Sequence, residues 1–369
     1  MDPTRLVGQL RGLATDGLGW LDFAAAADDA LRRVVPFDRS CWHTVDPGTV
    51  LFTGSLNRNI GCSGTWLAEY EYVIEDVNKW AFLAHSGRRA GATSLATHGD
   101  LSRSARHRSQ TGYDIGDELR VAFVNASGYW GAAGLLRNAD RPWFTEADVQ
   151  LLASLSAVAA DGARRALVNA VVVGEAPATQ GPGVVIYDEA GRAESITPAA
   201  EHWLSQLIQS PPPATPAESQ IVQAVARRAQ AGVGEDPLRA SARARVRTRS
   251  GTWLLLYGSP LSGRGGRTAV VVQPAAPNEV APLVALAYGL SPRECAVTRL
   301  CIEGRSTREI AGHLHLSSYT VQDHLKSIFS KTGVRSRGEL VGQVFLEHYL
   351  PRWENLADPP QGWHGYAEG

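Results

Sequence analysis

Lysine is almost missing from this chain. It occurs only at Lys79, Lys326 and Lys331, although lysine and arginine together number 36 in 369 residues. Arginine therefore carries nearly all the positive charge, and its abundance alongside alanine and glycine suggests a GC-rich bacterial genome. Long apolar runs are missing too. None approaches the roughly 20 residues that cross a bilayer, and Met1-Asp2-Pro3 opens no signal peptide. The chain is expected to stay in the cytoplasm and to have no membrane partner. Cysteine is scarce: Cys41, Cys62, Cys295 and Cys301 form no metal-ligand spacing and are read as free, buried thiols.

Sequences for phosphate and hydrolytic chemistry are absent as well. There is no Walker A motif, since Gly263-Arg-Gly-Gly266 lacks the Gly-Lys-Ser/Thr ending that a phosphate loop requires. Neither a Gly-x-Ser-x-Gly elbow nor a His-Glu-x-x-His helix occurs. The first acidic pair, Asp28-Asp29, falls inside a helical pattern instead of following an early strand, which argues against a phosphoacceptor receiver. Cys41 and His43, two residues apart in one predicted strand, read as neighbours on a single sheet face and not as a catalytic pair. The chain is accordingly expected not to be an enzyme, and no cofactor or metal is called for.

What remains is a globular chain, 44% hydrophobic with a net charge of -1, long enough for two or three domains. Its clearest local signals lie between Leu290 and Phe345. Ser291-Pro-Arg-Glu294, Ser306-Thr-Arg-Glu309 and Ser336-Arg-Gly-Glu339 all have the capping-box form, in which a serine oxygen accepts an orphan amide and the glutamate reaches back. Pro292 suits a first helical position. Gly304 and Gly333 are placed to close helices in the left-handed conformation. Four short helices follow from these signals. The third, from about Ser318 to Thr332, has an apolar stripe at Val321, Leu325, Ile328, Phe329 and Thr332, with Tyr319, Gln322, Asp323 and Lys326 opposite. Ile310, Ala311 and Leu314 of the preceding helix join the same small core across the short connection His315-Leu316-Ser317. This is a helix-turn-helix. From Arg305 to Arg337, Arg305, Arg308, Lys326, Lys331, Arg335 and Arg337 stand against only Glu309 and Asp323, a positive surface suited to a phosphate backbone.

The run Leu290-Ser-Pro-Arg-Glu294, Gly304-Arg-Ser-Thr-Arg-Glu-Ile-Ala311, Leu316-Ser-Ser-Tyr-Thr-Val-Gln-Asp-His-Leu-Lys326 and Gly333-Val-Arg-Ser-Arg-Gly-Glu-Leu340 closely resembles the LuxR-type DNA-binding domain, ungapped and with every cap in place. The resemblance implies a double-stranded DNA partner. It implies base-reading by Gln322, Asp323 and Lys326, and phosphate contacts from Arg305, Ser306, Tyr319, Thr320 and Lys331. Asp323 departs from the apolar or basic residue many relatives carry there, which bears on the preferred base sequence and not on the fold. The resemblance further implies pairing through the fourth helix. That helix carries more apolar surface than one contact needs, and Val341, Val344, Phe345 and His348 are expected to form a homodimer contact on DNA. The alternative is that Tyr349 to Trp353 and the tail fold back over it.

In the first part of the chain, Leu21, Ala24, Ala27, Leu31 and Val34 set a helical spacing from Leu6 to Val35. A hairpin is expected at Ser40–Val45 and Thr49–Thr53 around Asp46-Pro47-Gly48. Helix follows between Trp66 and Phe82, then a polar stretch to Gly112. Another strand pair spans Asp117–Val124 and Trp130–Arg137, and a long helix starts at Thr145. With Val35-Pro-Phe-Asp-Arg-Ser-Cys-Trp-His43 and Trp143-Phe-Thr-Glu-Ala-Asp148, this order resembles a GAF-type sensor domain over residues 1–172. The resemblance implies a small-molecule effector or a protein partner. Trp42, Trp66, Tyr70, Trp80 and Trp130 are the candidate aromatic lining of an effector pocket; packing in the core is the competing reading.

A linker at 173–182 leads to Gly183-Val-Val-Ile-Tyr-Asp188, a turn at Glu189-Ala-Gly191 and a helix with Ala199, Ala200 and Trp203, which resemble the opening of a PAS domain. Another helix at Ile221–Ala231 and strands at Ala242–Thr248, Trp253–Tyr257 and Thr268–Val272 complete it over 183–275. In the first of these strands Arg243, Arg245, Arg247 and Arg249 alternate with small or apolar residues and share one face. A solvated face is the simpler expectation, with an anion site or an interdomain contact as alternatives. Residues 276–289 read as a linker, 290–350 as the helix-turn-helix domain and 351–369 as a tail. The whole is thus expected to be multidomain: an α/β GAF-like unit, an α/β PAS-like unit and an all-α four-helix DNA-binding unit, acting as a transcriptional regulator. The alternative function is a ligand-responsive interaction module without sequence-specific DNA readout.

Overall fold

The structure, a computed structural model, describes residues 3–61, 63–110, 113–169, 181–232, 241–262 and 266–342. Cys62, Val344, Phe345, His348, the tail and most of the 173–182 linker lie outside them. The opening helical pattern is two helices, α1 (Pro3–Thr15) and α2 (Trp20–Arg32), broken where Gly17 takes a φ of 72°. The first hairpin is β1 (Arg39–Val45) and β2 (Phe52–Arg58). Its turn is longer than the sequence pattern indicates, because the Asp46 carbonyl accepts the amides of Thr49 and Val50 and its carboxylate accepts that of Gly48. The single helix expected from Trp66 to Phe82 is also divided. Here α3 (Gly64–Ala68) runs into a wider turn at Glu69–Val73, and α4 (Trp80–His85) starts afresh. The polar stretch holds β3 (Ala90–Ala92), α5 (Thr93–Ala96) and α6 (Ala105–Ser109), and the second hairpin is β4 (Asp117–Asn125) with β5 (Gly128–Arg137). Helix α7 (Glu146–Asn169) closes this unit against β4 and α1.

The second unit comprises β6 (Gly183–Tyr187), β7 (Ala193–Ile196), α8 (Pro198–Ser205), β8 (Gln209–Ser210), α9 (Gln220–Gln230), β9 (Arg243–Arg247), β10 (Trp253–Pro260) and β11 (Thr268–Pro274). The sheets run β3-β4-β5-β1-β2-β8 and β7-β6-β11-β10-β9. Leaving out β8, each is wound in the same order, second strand, first, fifth, fourth, third. The two-residue β8 departs from its own unit to lie parallel to β2 at Ser55 and Leu56.

The two units do not have separate cores. One buried cluster joins Phe23, Trp42, Phe123 and Ala163 of the first unit to Trp253, Leu255 and Ala275 of the second. Another joins Phe52, Tyr72 and Trp80 to Tyr187, Trp203, Val225 and Val272. Arg245 and Arg247 of β9 lie in this seam, so for them the expectation of a solvated face is corrected to the interdomain contact, while Arg243 is half-exposed and Arg249 exposed. Arg245 meets the fully buried Asp46 carboxylate at 2.6 and 2.8 Å. Arg247 donates to the carbonyls of Leu167 and Val168 near the end of α7, at 2.8 and 3.3 Å. On the other face of the strand, Ala244 and Val246 are fully buried. Around Arg245 and Arg247 little water remains, and the Asp46 carboxylate and the α7 carbonyls make their guanidinium groups tolerable in such a seam.

Residues 276–289, expected as a linker, hold helix α10 (Pro277–Ala287). The remaining helices are α11 (Pro292–Ile302), α12 (Thr307–Leu314), α13 (Ser318–Thr332) and a start of α14 at 337–342. They enclose a small core of Leu290, Val297, Leu300, Ile310, Val321, Leu325, Ile328 and Leu340. Among the described residues no helix is long and apolar enough to cross a membrane.

Candidate nucleic-acid interface

The caps of the four-helix unit form as their sequences require. The Glu294 amide donates to Ser291 Oγ at 3.3 Å, and the Ser291 amide donates to Glu294 Oε2 at 2.6 Å. Ser306 and Glu309 repeat this at 3.3 and 2.7 Å. The Ser336 box is half altered. The Glu339 amide donates to Ser336 Oγ at 3.1 Å, but its carboxylate takes the amide of Arg335, one residue further back, at 2.7 Å. Gly304 and Gly333 adopt φ of 78° and 76°. His315 is left-handed as well, at φ 52°, and turns the chain from α12 into α13. Ser317 caps α13 by accepting the Thr320 amide at 3.0 Å.

On α13, Val321, Leu325, Ile328 and Thr332 are buried, while Gln322, Asp323 and Lys326 are exposed on the opposite face. Tyr319 is 75% exposed, the most open of the large hydrophobic residues described. The structure therefore brings the three candidate base readers together on one open helix face. Lys326 Nζ and Asp323 Oδ1 lie 3.6 Å apart, both in solvent.

The candidate phosphate contacts divide. Arg305 and Ser306 are exposed at the start of α12, with Arg305 Nη1 3.8 Å from Glu309 Oε1. Tyr319 is exposed and Thr320 half-buried at the first turn of α13. Lys331 is already committed, donating to Glu294 Oε2 at 2.6 Å. Glu294 is a residue whose role the sequence shows only in part, since beyond its cap it also accepts Ser327 Oγ at 2.6 Å. One carboxylate thus ties α11 to two successive turns of the exposed helix. Burial pushes this carboxyl up, but the Lys331 ammonium, the Ser327 hydroxyl and the Ser291 amide outweigh burial and hold it at about 2. Arg337 also turns inward, donating to the Arg305 carbonyl and to Cys301 Sγ. Of the six basic residues from Arg305 to Arg337, Arg305, Arg308, Lys326 and Arg335 are exposed and held by no buried partner among the described residues. Of the dimer candidates, Val341 is half-buried, and Val344, Phe345 and His348 fall outside the described residues.

The five aromatic residues proposed for an effector pocket are spread over three places. Trp42 and Trp130 are buried in the cluster beneath α2 and α7, where the Trp42 indole donates to Asp28 at 3.0 Å. Trp80 is fully buried in the other cluster, with the Arg120 guanidinium 3.9 Å above its ring. Arg120 and Arg106 belong to a buried ionic chain that the sequence did not show. Arg106 pairs with Asp76 and Glu118, and Arg120 with Glu118 and Glu71. Burial raises the Glu118 carboxyl, but its two arginines outweigh that and hold it at about 2. Burial leaves the Glu71 carboxyl raised. Trp66 and Tyr70, with ring centres 5.1 Å apart, lie near the surface. Trp66 lines a cavity of about 280 Å³ with Ile60, Ser63, Gln110, Tyr113 and Ile115. Among the described residues no cluster of His, Cys, Asp and Glu could hold a metal.

An open, polar second helix set by a short left-handed turn against a first, with basic side chains around it, is the arrangement of a DNA-binding helix-turn-helix domain. The family described as bacterial regulatory proteins, luxR family, matches residues 289–343. The spore germination protein GerE of Bacillus subtilis is 36% identical over 55 residues, 15% of this chain and 74% of GerE. The transcriptional regulatory protein ComA of the same organism is 44% identical over 52 residues, 14% of this chain and 24% of ComA. An HTH-type transcriptional regulator of Mycobacterium bovis is 44% identical over 55 residues, 15% of this chain, and the match spans 6% of its length. The chain belongs to the luxR family of bacterial regulatory proteins. Two solved structures resemble it more loosely. The phage VqmA-DPO complex has 18% identity and a TM-score of 0.18, covering 46% of this chain and 84% of that one. The E. coli DhaR(N)-DhaL complex has 15% identity and a TM-score of 0.24, covering 74% and 90%. Neither score is high enough to bear on the fold.

Proposed function

We propose that this chain is a transcriptional regulator that reads a specific DNA sequence through α13 under the control of its two N-terminal units, read as GAF-like and PAS-like sensory domains. The observation that carries this reading is the open face of α13, where Gln322, Asp323 and Lys326 project from a helix held in place by Glu294 and by its own buried stripe. Gln322 suits the bidentate contact to adenine, Lys326 donates to guanine O6 or N7, and Asp323 accepts from cytosine N4. Lys326 and Asp323 part to do so, exchanging a solvated pair for base edges. Arg305, Ser306, Tyr319 and Thr320 hold phosphates. Lys331 joins them only by leaving Glu294. Two copies paired through α14 present two such helices to half-sites about one DNA turn apart.

The sensory reading is supported by the winding order that the two sheets share and by the continuous packing that links them. A small aromatic or apolar effector fits best beside Trp66, since Trp42, Trp80 and Trp130 are packed in the interior.

Recovery of genomic fragments bound by the full chain tests the reading, with one recurrent motif as the expected result; an interaction module enriches none. On the recovered site, Lys326→Ala is expected to lower discrimination at one base position by about 1–3 kcal/mol. Unchanged discrimination in a titration removes Lys326 from the base-reading set.

A further inference from the structure

The exposed face of α13 raises a question of control. In this structure the N-terminal units leave Gln322, Asp323 and Lys326 uncovered and open to solvent. Control through the connection between the units remains open to them, and that connection is α10. Its apolar side, Val280, Leu283, Val284 and Ala287, is 1% exposed at each position. All four lie in the cluster built by α1, α2, α7 and residues Trp253 and Leu255 of β10. Burial of this size is what a core helix shows, and a tether between domains buries far less.

Both ends of α10 are held by charged groups of the N-terminal units. At its start, Arg245 Nη1 donates to the Glu279 carbonyl at 3.3 Å while its other nitrogens hold Asp46. The turn of the first unit and a strand of the second therefore meet at the first turn of α10. At its end, Arg164 of α7 donates to the Ala287 carbonyl, one of the orphan acceptors of a helix C-terminus. Beyond it the chain has almost no slack. Gly289 takes a φ of 73°, the Leu290 amide donates back to the Ala285 carbonyl at 3.1 Å, and Ser291 already caps α11. A Cβ at Gly289 would lie 3.0 Å from Arg164 Nη1. Tyr288, inside this elbow, packs on the sensory core and on the four-helix core together.

We propose that α10 is the transmission element of this protein: its seat, locked by Arg164 at the Ala287 carbonyl and by Tyr288 between the two cores, fixes the orientation of the DNA-binding unit, and regulation acts by loosening or moving that seat. The recognition face stays uncovered in either state. What changes is whether two DNA-binding units are pre-oriented for a paired site or must be ordered at the moment of binding, which costs affinity.

The effect on DNA rests on the dimeric reading above, so the test has an arm that does not. In the full-length chain, hydrogen exchange of residues 280–290 is expected to be slow, and the amides of 307–332 are expected to tumble with the whole molecule in NMR relaxation. Arg164→Met should speed exchange of 280–290 by about tenfold or more, as expected when a local seat opens below the global stability, and shorten the correlation time of 307–332 without changing protection inside α13. Arg164→Lys should retain much of the wild-type behaviour. Should Arg164→Met fail to fold by circular dichroism, Tyr288→Ala, which leaves every charge in place, carries the same expectation. On DNA recovered with the wild type, either variant should bind a two-half-site fragment about five- to twentyfold more weakly and a single half-site within about twofold, the cost being one of ordering. Independent tumbling of 307–332 in the wild type, or folded variants with wild-type exchange, overturns the proposal. So does fast exchange with unchanged two-site affinity. A chain that enriches no DNA overturns the regulatory reading alone, while exchange and tumbling still decide whether α10 is seated.

Discussion

Glu294 does three things with one carboxylate. It completes the α11 cap, takes the Ser327 hydroxyl and holds the Lys331 ammonium, 37 residues away in sequence. The cap is written in four consecutive letters and was legible; the grip on α13 was not, because nothing local to Lys331 distinguishes a lysine bound for phosphate from one bound for a buried acid. Glu294→Ala is expected to cost about 2–4 kcal/mol, combining a lost cap with two charge-assisted hydrogen bonds, measured by urea denaturation of the full chain. The pH dependence has a definite sign. The folded carboxyl is held at about 2, below its ordinary value, so its contribution is complete above about pH 4.5 and disappears as pH falls toward 2. Glu294→Gln should flatten that acid limb, and an unchanged limb would mean other carboxylates set it. Lys331→Ala should lower stability by about 1–2 kcal/mol as well as weaken DNA binding, whereas Lys326→Ala, at an exposed pair, should leave the denaturation midpoint unmoved.

At the scale of elements, β9 shows what periodicity can and cannot say. Alternation placed Arg243, Arg245, Arg247 and Arg249 on one face; β9 ends at Arg247 and Arg249 is exposed, and for the others the pattern is the same whether that face meets water or another sheet. The partner that decides it, Asp46, is 199 residues away. Removing one member of such a pair leaves the other charge stranded in a dry seam. Asp46→Ala is therefore expected to cost about 3–5 kcal/mol. The double variant Asp46→Ala with Arg245→Met should be less destabilised than the sum of the single ones, as a thermodynamic cycle would reveal. Equal sums would mean that the pair adds nothing beyond its separate contacts. The short elements fared worst. The two residues of β8 and the three of β3 hold too few side chains to impose a period, and both are recruited by an existing sheet edge.

For the whole molecule, shared cores make a specific statement about cooperativity. Because each large apolar cluster draws on both N-terminal units, heating should unfold residues 3–275 in one calorimetric transition and not as two independent domains. Two resolved transitions assigned by hydrogen exchange to 3–169 and 183–275 would contradict it. Assembly on DNA is expected to run through α14. Val341→Asp should abolish the preference for a two-half-site operator over a single half-site while α11 to α13 remain folded, and a gel-shift titration that keeps the preference excludes that contact.

The amino-acid sequence by itself determined what depends on neighbours in the chain. The caps at Ser291 and Ser306, the left-handed stops at Gly304 and Gly333, the buried stripe of α13 and its open polar face all arise within a few residues, where backbone hydrogen bonding and side-chain reach leave few choices. Only the tertiary structure decided which arginines meet water and which meet carboxylates, that α10 is a seated helix instead of a tether, and that Trp42, Trp80 and Trp130 are packing. Each of those outcomes depends on surfaces brought together from distant parts of the chain, and burial is a property of the assembled surface that no local run of residues contains.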